Sequence, residues 1–272
     1  MPNPVFGVTG MEREHLGWLL REAGPENAPR KALLLPGALC TSAFYDDLLG
    51  TPAIRNAPIR FIATTLPGFG GTPPPDDVSM ESYTKLASRL AADLSCDVIV
   101  GHSLGANVAI ELVSTGEFTG PVVLLSPSFS RTDESKFPRA LDKVSRVFGH
   151  LPYSLVLKVI GPAMKSSLPP ARADALANEL KKNDPRFLRD QTHQYLAYLD
   201  RHGSLARRFC DAAPQAWVVY GERDDVGITP DERALLEAAP GIRLVEIADT
   251  GHFTLNQKPD EIADLVLQAV VG

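Results

Sequence analysis

The chain is poor in cysteine and has no long apolar run. Among 272 residues only Cys40, Cys96 and Cys210 are cysteines. Their number is odd and their spacing fits no metal-ligand pattern, so neither a disulfide framework nor a metal site is expected. That usage suits a reducing compartment, and a cytoplasmic location is the expectation. No apolar stretch approaches the roughly 18 residues needed to span a bilayer, so membrane insertion is not expected. Met1 to Phe6 lack a basic segment and a long apolar core, so no signal peptide is read there. Positive charge is scarce as well. Against 33 Asp and Glu stand 27 Lys and Arg, a formal charge of −6 with no basic run. Nucleic acid is therefore not an expected partner, and no Lys/Arg cluster along the sequence suggests an anionic membrane surface. Internal repeats and low-complexity segments are absent too.

Apolar residues, at 44% of the chain, are plentiful enough for a large core. The length suits one large α/β domain carrying an insertion. Residues 5–23 suggest two strands joined by a turn, the second containing Leu16 to Leu20. Further strands are read at Ala32–Leu35, Ile59–Ala63, Val98–Val100, Val122–Leu125, Trp217–Tyr220 and Leu244–Ile247. Between them lie helical patterns. Ser79 caps one that runs to Asp93, with Tyr83, Leu86, Leu90 and Leu94 on one face. Pro259 to Val271 is another. Short apolar strands alternating with helices imply an α/β fold with a mostly parallel sheet covered on both faces.

The alternation breaks at 130–213, where no strand is convincing. Phe137, Leu141, Val144 and Phe148 recur at helical spacing, as do Leu176 with Leu180, and Leu188, Tyr195 and Leu199 with gaps. Pro152, Pro162, Pro169-Pro170 and Pro185 divide the stretch into several short helices. The expectation is a helical cap inserted into a core made of 1–129 and 214–272. Its amphipathic helices are expected to bury their apolar faces, and as a set to roof a pocket.

Chemistry concentrates at Gly101-His102-Ser103-Leu104-Gly105. Apolar, β-branched Val98-Ile99-Val100 precedes it, and a helical pattern follows from Ala106 to Val113. Ser103 thus occupies a tight strand-to-helix turn, the context of a Gly-x-Ser-x-Gly nucleophile elbow. Such a turn strains the serine backbone, and a Cβ at 101 or 105 would crowd the adjoining strand or helix. A serine hydroxyl needs a base, and the base needs orienting. His252 follows the last strand and precedes the last helix, which puts it at the carboxyl edge of a parallel sheet beside Ser103. His102 adjoins the serine but should point away; His150, His193 and His202 fall in the insertion, and His15 precedes an early strand. For the orienting acid, Tyr220-Gly221-Glu222-Arg223-Asp224-Asp225 offers three carboxylates. Asp224, across the turn after the strand, is best placed, with Glu222 and Asp225 as competitors. No carboxylate follows the strand ending at Leu125. Oxyanion donors are expected from the amide of Leu104 at the helix start and from Ala38, or Leu39, in the loop after Leu35. Cys40 in that loop reads as a packing residue, since no histidine is assigned to activate it.

Four features occur in order: the strand-Pro36-Gly37 loop, Leu66-Pro67-Gly68-Phe69-Gly70, the elbow, and Gly221-Glu222-Arg223-Asp224 followed by Gly251-His252. Together they resemble the α/β-hydrolase superfamily, over nearly all of the core. The chain looks like a cap-bearing member of the group that includes small-molecule esterases, lactonases, carbon–carbon bond hydrolases and cofactor-free haloperoxidases. Many members carry His-Gly where this chain has Pro36-Gly37. The resemblance implies serine hydrolysis of an ester or related acyl bond in a small, fairly apolar substrate, with no cofactor or metal. Ser103 rather than Asp argues against a dehalogenase or epoxide hydrolase. Two alternatives stay open: another reaction on the same triad, such as carbon–carbon cleavage or lactone opening, and a ligand-binding receptor that kept the site. Sequence leaves the oligomeric state open.

Overall fold

The computed structural model describes residues 12–164 and 168–271. Its centre is one eight-stranded sheet in the order β1-β2-β4-β3-β5-β6-β7-β8. The strands are β1 (Arg13–His15), β2 (Trp18–Ala23), β3 (Arg30–Leu35), β4 (Ile59–Thr65), β5 (Val98–His102), β6 (Val122–Leu125), β7 (Ala216–Gly221) and β8 (Ile242–Ile247). β1 and β2 are antiparallel, β2 pairs antiparallel with β4, and every pairing from β4 to β8 is parallel. The sheet is therefore mostly parallel, as the alternating pattern predicts.

The first hairpin is placed differently from the sequence reading. Leu16 and Gly17 form its turn, with φ of 53° and 82°, so β2 begins at Trp18. Positive φ at two successive residues suits the twist of a two-residue hairpin, and Gly17 supplies one of them without strain. The part of that reading over 5–11 lies outside the described residues.

The helices α1 (Asp46–Leu49), α2 (Pro52–Asn56), α3 (Met80–Asp93) and α4 (Leu104–Ser114) accompany the first strands. Ser79 caps α3 by accepting from the Ser82 amide. Strand side chains alternate between two apolar layers. Leu33, Leu35, Ile99 and Leu124 join α3 and α4 on one face, while Leu34, Val98, Val100 and Val123 meet the C-terminal helix on the other. Strands buried on both faces must be apolar throughout, which is why β3 and β5 to β7 read as continuous runs.

Between β6 and β7 lie α5 (Lys136–Phe148), α6 (Leu151–Met164), α7 (Ala173–Leu180), α8 (Pro185–His202) and α9 (Leu205–Asp211). α6 continues through Pro162, so this proline does not divide the segment. Pro185, by contrast, starts α8 behind the Asp184 cap. Leu176, Leu180, Leu188 and Leu199 are buried as their spacing predicts. α5 is the exception: of its predicted stripe Leu141 is half-buried against the core, while Phe137, Val144 and Phe148 face outward, against the expectation that the stripe is buried. Its neighbours α6 and α8 contact the opposite side, which carries Asp142 and Ser145. The segment is tied to the loops at the sheet's carboxyl edge. Asn183 Nδ2 donates to Leu39 O at 2.9 Å and its Oδ1 accepts from Gly70 N at 3.0 Å. α10 (Pro230–Ala238), α11 (Thr254–Gln257) and α12 (Pro259–Val271) complete the chain.

Candidate active site

Ser103 links β5 to α4 with φ 51° and ψ −116°, a conformation that L-residues rarely adopt. Its amide donates to Leu125 O of the neighbouring strand at 2.8 Å, which holds the turn in place. The flanking glycines are needed for space. A Cβ on Gly101 would lie 2.4 Å from Gly105 O, and one on Gly105 would lie 2.1 Å from Leu35 O. The loop after β3 also presses on the elbow, since a Cβ on Gly37 would meet the Ser103 Cβ at 3.1 Å. Cys40 N donates to Gly37 O, and Leu39 takes φ 69° to close this four-residue turn. Among the described residues, the amides of Ala38 and Leu104 have no acceptor. The Leu104 amide belongs to the first turn of α4, whose N–H groups have no partner within the helix.

His252 lies in the loop after β8, and its Nδ1 is 3.0 Å from Asp224 Oδ1. A carboxylate only accepts, so Nδ1 carries the proton and Nε2 keeps a lone pair. The Asp224 side chain is 1% exposed and that of His252 is 22% exposed. Burial pulls the imidazole pKa down. The hydrogen bond to Asp224 and its charge, reinforced by Asp225 and Glu134, outweigh it and leave His252 above the ordinary histidine value. For Asp224, burial works upward, but the bonds from His252, Ser126 and the Val226 amide hold it below the usual carboxylate range. Of the competing acids, Glu222 accepts from the Asp249 amide and Asp225 is exposed. Asp224, Asp225 and His252 could offer three metal-ligand atoms within 4.8 Å of one another. Within this group, His252 Nδ1 and Asp224 Oδ1 are bonded to each other.

Two residues that sequence reasoning passed over hold this pair in place. His102 is buried, its ring lies 4.9 Å from that of His252, and its Nε2 donates to the backbone carbonyl of His252 at 2.9 Å. Burial, with the neighbouring His252 charge, lowers its pKa to about 3, so it is a neutral, permanent donor. Ser126 takes the first position after β6, with φ 53°, and its hydroxyl donates to Asp224 Oδ2 at 2.5 Å. The available signal was positional, because Ser126 ends its strand on the same sheet edge as Ser103 and Asp224. No hydrogen bond joins Ser103 Oγ to His252 among the described residues. Cys40 is buried among Phe44, Ile160, Leu176 and Phe253, and that burial pushes its thiol pKa up, as befits a packing residue.

The profile of the Alpha/beta hydrolase family matches residues 32–265, from the start of the parallel sheet into the last helix. The chain belongs to the alpha/beta hydrolase family. Solved structures agree with this hydrolase in architecture. An esterase from Exiguobacterium antarcticum superposes with a TM-score of 0.74 at 15% identity, covering 94% of this chain and 96% of that one. The N-acyl homoserine lactonase AidH, complexed with N-butanoyl homoserine, gives 0.72 at 18% identity and 96% of each chain. A bromoperoxidase from Bacillus anthracis gives 0.72 at 13%, covering 93% and 94%. At such identities these likenesses establish the hydrolase fold and leave the substrate open. No curated relative matches the sequence. No described helix of the hydrolase is long and apolar enough to cross a membrane.

Proposed function

We propose that this hydrolase cleaves an ester or related acyl bond of a small, fairly apolar substrate through Ser103, His252 and Asp224. One observation carries the reading. The hydrogen-bonded His252–Asp224 pair is anchored, through His102 and Ser126, at the same sheet edge where Ser103 is held at φ 51°.

His252 Nε2 takes the hydroxyl proton as Ser103 Oγ bonds to the acyl carbon. Asp224 keeps the ring oriented and stabilises the imidazolium. The unpartnered amides of Leu104 and Ala38 receive the oxyanion of the tetrahedral intermediate. As that intermediate collapses, the leaving alkoxide takes the proton from His252. Water then repeats the cycle on the acyl-enzyme, releasing the acid and restoring Ser103. Residues 130–213 act as the cap in this proposal. The inner faces of α6 and α7 pack on Leu39, Phe44 and Phe253 through Val156, Ile160 and Leu176, which favours an apolar acyl group there. The esterase and lactonase likenesses agree with acyl chemistry.

The test is Ser103→Ala. Hydrolysis of short p-nitrophenyl esters and labelling by a fluorophosphonate should both vanish, with the melting temperature unchanged. Undiminished turnover in that variant would refute the mechanism. Matched esters, lactones and vinylogous diketones, offered to the unmodified enzyme, separate the bond types.

A further inference from the structure

Helix α5 is built inside out. At 100° per residue, Val147, Val144, Phe137 and Phe148 fall within an arc of about 100°, and Lys136, Lys143, Arg139 and Arg146 fill an adjoining arc of about 80°. Soluble helices of this kind turn the apolar arc inward. Here Val147 is 77% and Phe148 60% exposed, while Asp142 and Ser145 are the residues buried. Asp142 is compensated inside, accepting from Arg146 and lying 3.1 Å from His193 Nδ1. α6 continues the outward apolar surface directly after the Gly149-His150 turn, through exposed Leu151, Leu155 and Val159. Its other side, with Leu157 and Ile160, is in the core.

The charges around this surface have one dominant sign. Arg131, Lys136, Arg139, Lys143 and Arg146 line a single shallow depression beside α5 with Asp142; Arg131 is paired with Asp200 and Arg146 with Asp142. Lys158 adds an exposed cation one turn beyond Leu155. Among the described residues, Lys136, Arg139 and Lys143 have no carboxylate partner. Four of these cations recur at helical spacing on α5, which sets them along one arc beside the exposed apolar stripe.

We propose that the outer face of the α5–α6 hairpin docks on an anionic lipid bilayer. The apolar arc would enter the acyl boundary while the flanking cations pair with headgroup phosphates, which is how an interfacial amphipathic helix binds. A second copy of this chain fits less well, because it would bring the same cations together with no acids on that face to answer them. Docking of this kind is independent of the chemistry at Ser103.

The test is co-sedimentation of the full chain with vesicles of equal parts phosphatidylglycerol and phosphatidylcholine, compared with phosphatidylcholine alone. The chain should pellet with the anionic vesicles and come off as salt is raised. Arg139→Gln with Lys143→Gln should weaken partition by roughly thirty-fold, at about fivefold per cation. Val147→Asp with Phe148→Asp should abolish it while thermal unfolding stays unchanged. A second probe does not rely on loss of binding. In Val147→Trp the new indole should shift to the blue only when anionic vesicles are added, against the buried Trp18 and Trp217. Equal binding to both vesicle types, or full binding by the Val147/Phe148 variant, overturns the proposal. So does a dimer formed without lipid and dissolved by those two substitutions, which would make the face a self-interface.

Discussion

Helices α4 and α5 follow successive strands, and they are organised in opposite ways. α4 is apolar nearly all round, and 10 of its 11 residues are buried. α5 has one strongly apolar side, yet it buries Asp142 and Ser145 and turns that side to solvent. The difference lies in their neighbours. α4 is enclosed by β5, β6, α3 and α9, so every direction meets protein. α5 packs mainly on the neighbouring helices α6 and α8. Each buries one carboxylate and answers it with a cation: Glu111 with Arg208 and the Tyr198 hydroxyl, Asp142 with Arg146. Periodicity therefore specifies a helix and its stripe. Whether that stripe is core or surface depends on what packs against it.

The contrast can be broken or sharpened by measurement. The largest effect is expected at the site that α4 supports. Asp224→Asn should lower kcat by roughly 10⁴-fold on p-nitrophenyl esters, because an amide no longer enforces the Nδ1–H tautomer of His252. The pH profile probes the same pair. His252 is a base only when neutral, and its folded pKa lies above the ordinary 6.5. The acid limb of kcat/KM should therefore have its midpoint above that value, and lose the upward shift in Asp224→Asn. A midpoint unmoved by the substitution would show that Asp224 does not act on His252.

Next, Ile110→Ala in α4 should cost about 3 kcal/mol in denaturant unfolding, since a fully buried side chain leaves a cavity. Ser126→Ala should reduce kcat about tenfold with little change in KM, by releasing one oxygen of the buried Asp224. An unchanged kcat would reduce Ser126 to packing. The smallest effect belongs to α5. Phe148→Ala should alter stability by no more than about 0.5 kcal/mol, as an exposed side chain loses few contacts. A loss as large as that of Ile110→Ala would mean that α5 is covered in solution and that the two helices are alike.

Much of the architecture was legible. Short apolar runs located β3 to β8, and they are continuous in β5 to β7 because those strands are buried on both faces. Gly101 and Gly105 marked the elbow because no Cβ fits at either position. The association of His252 with Asp224, rather than Glu222 or Asp225, agrees with the reading of the turn after β7. Less legible were contacts made through one ring or one hydroxyl. The bonds from His102 to the His252 carbonyl and from Ser126 to Asp224 span 150 and 98 residues. A single polar side chain carries no periodic signal to announce such a partner. The turn at Leu16-Gly17 was absorbed into a strand because Leu16 extends an apolar run.

The sequence by itself determined the mostly parallel sheet, the helices that start after Ser79, after the elbow and at Pro259, and the tight turn at Ser103. These follow from local pattern and from space around particular glycines. Only the tertiary structure decided that a buried neutral His102 braces His252, that Ser126 holds Asp224, and that α5 carries its apolar and basic residues on the outside. Those outcomes depend on which surfaces meet across long sequence separations, and side-chain spacing along one element holds no record of the element packed against it.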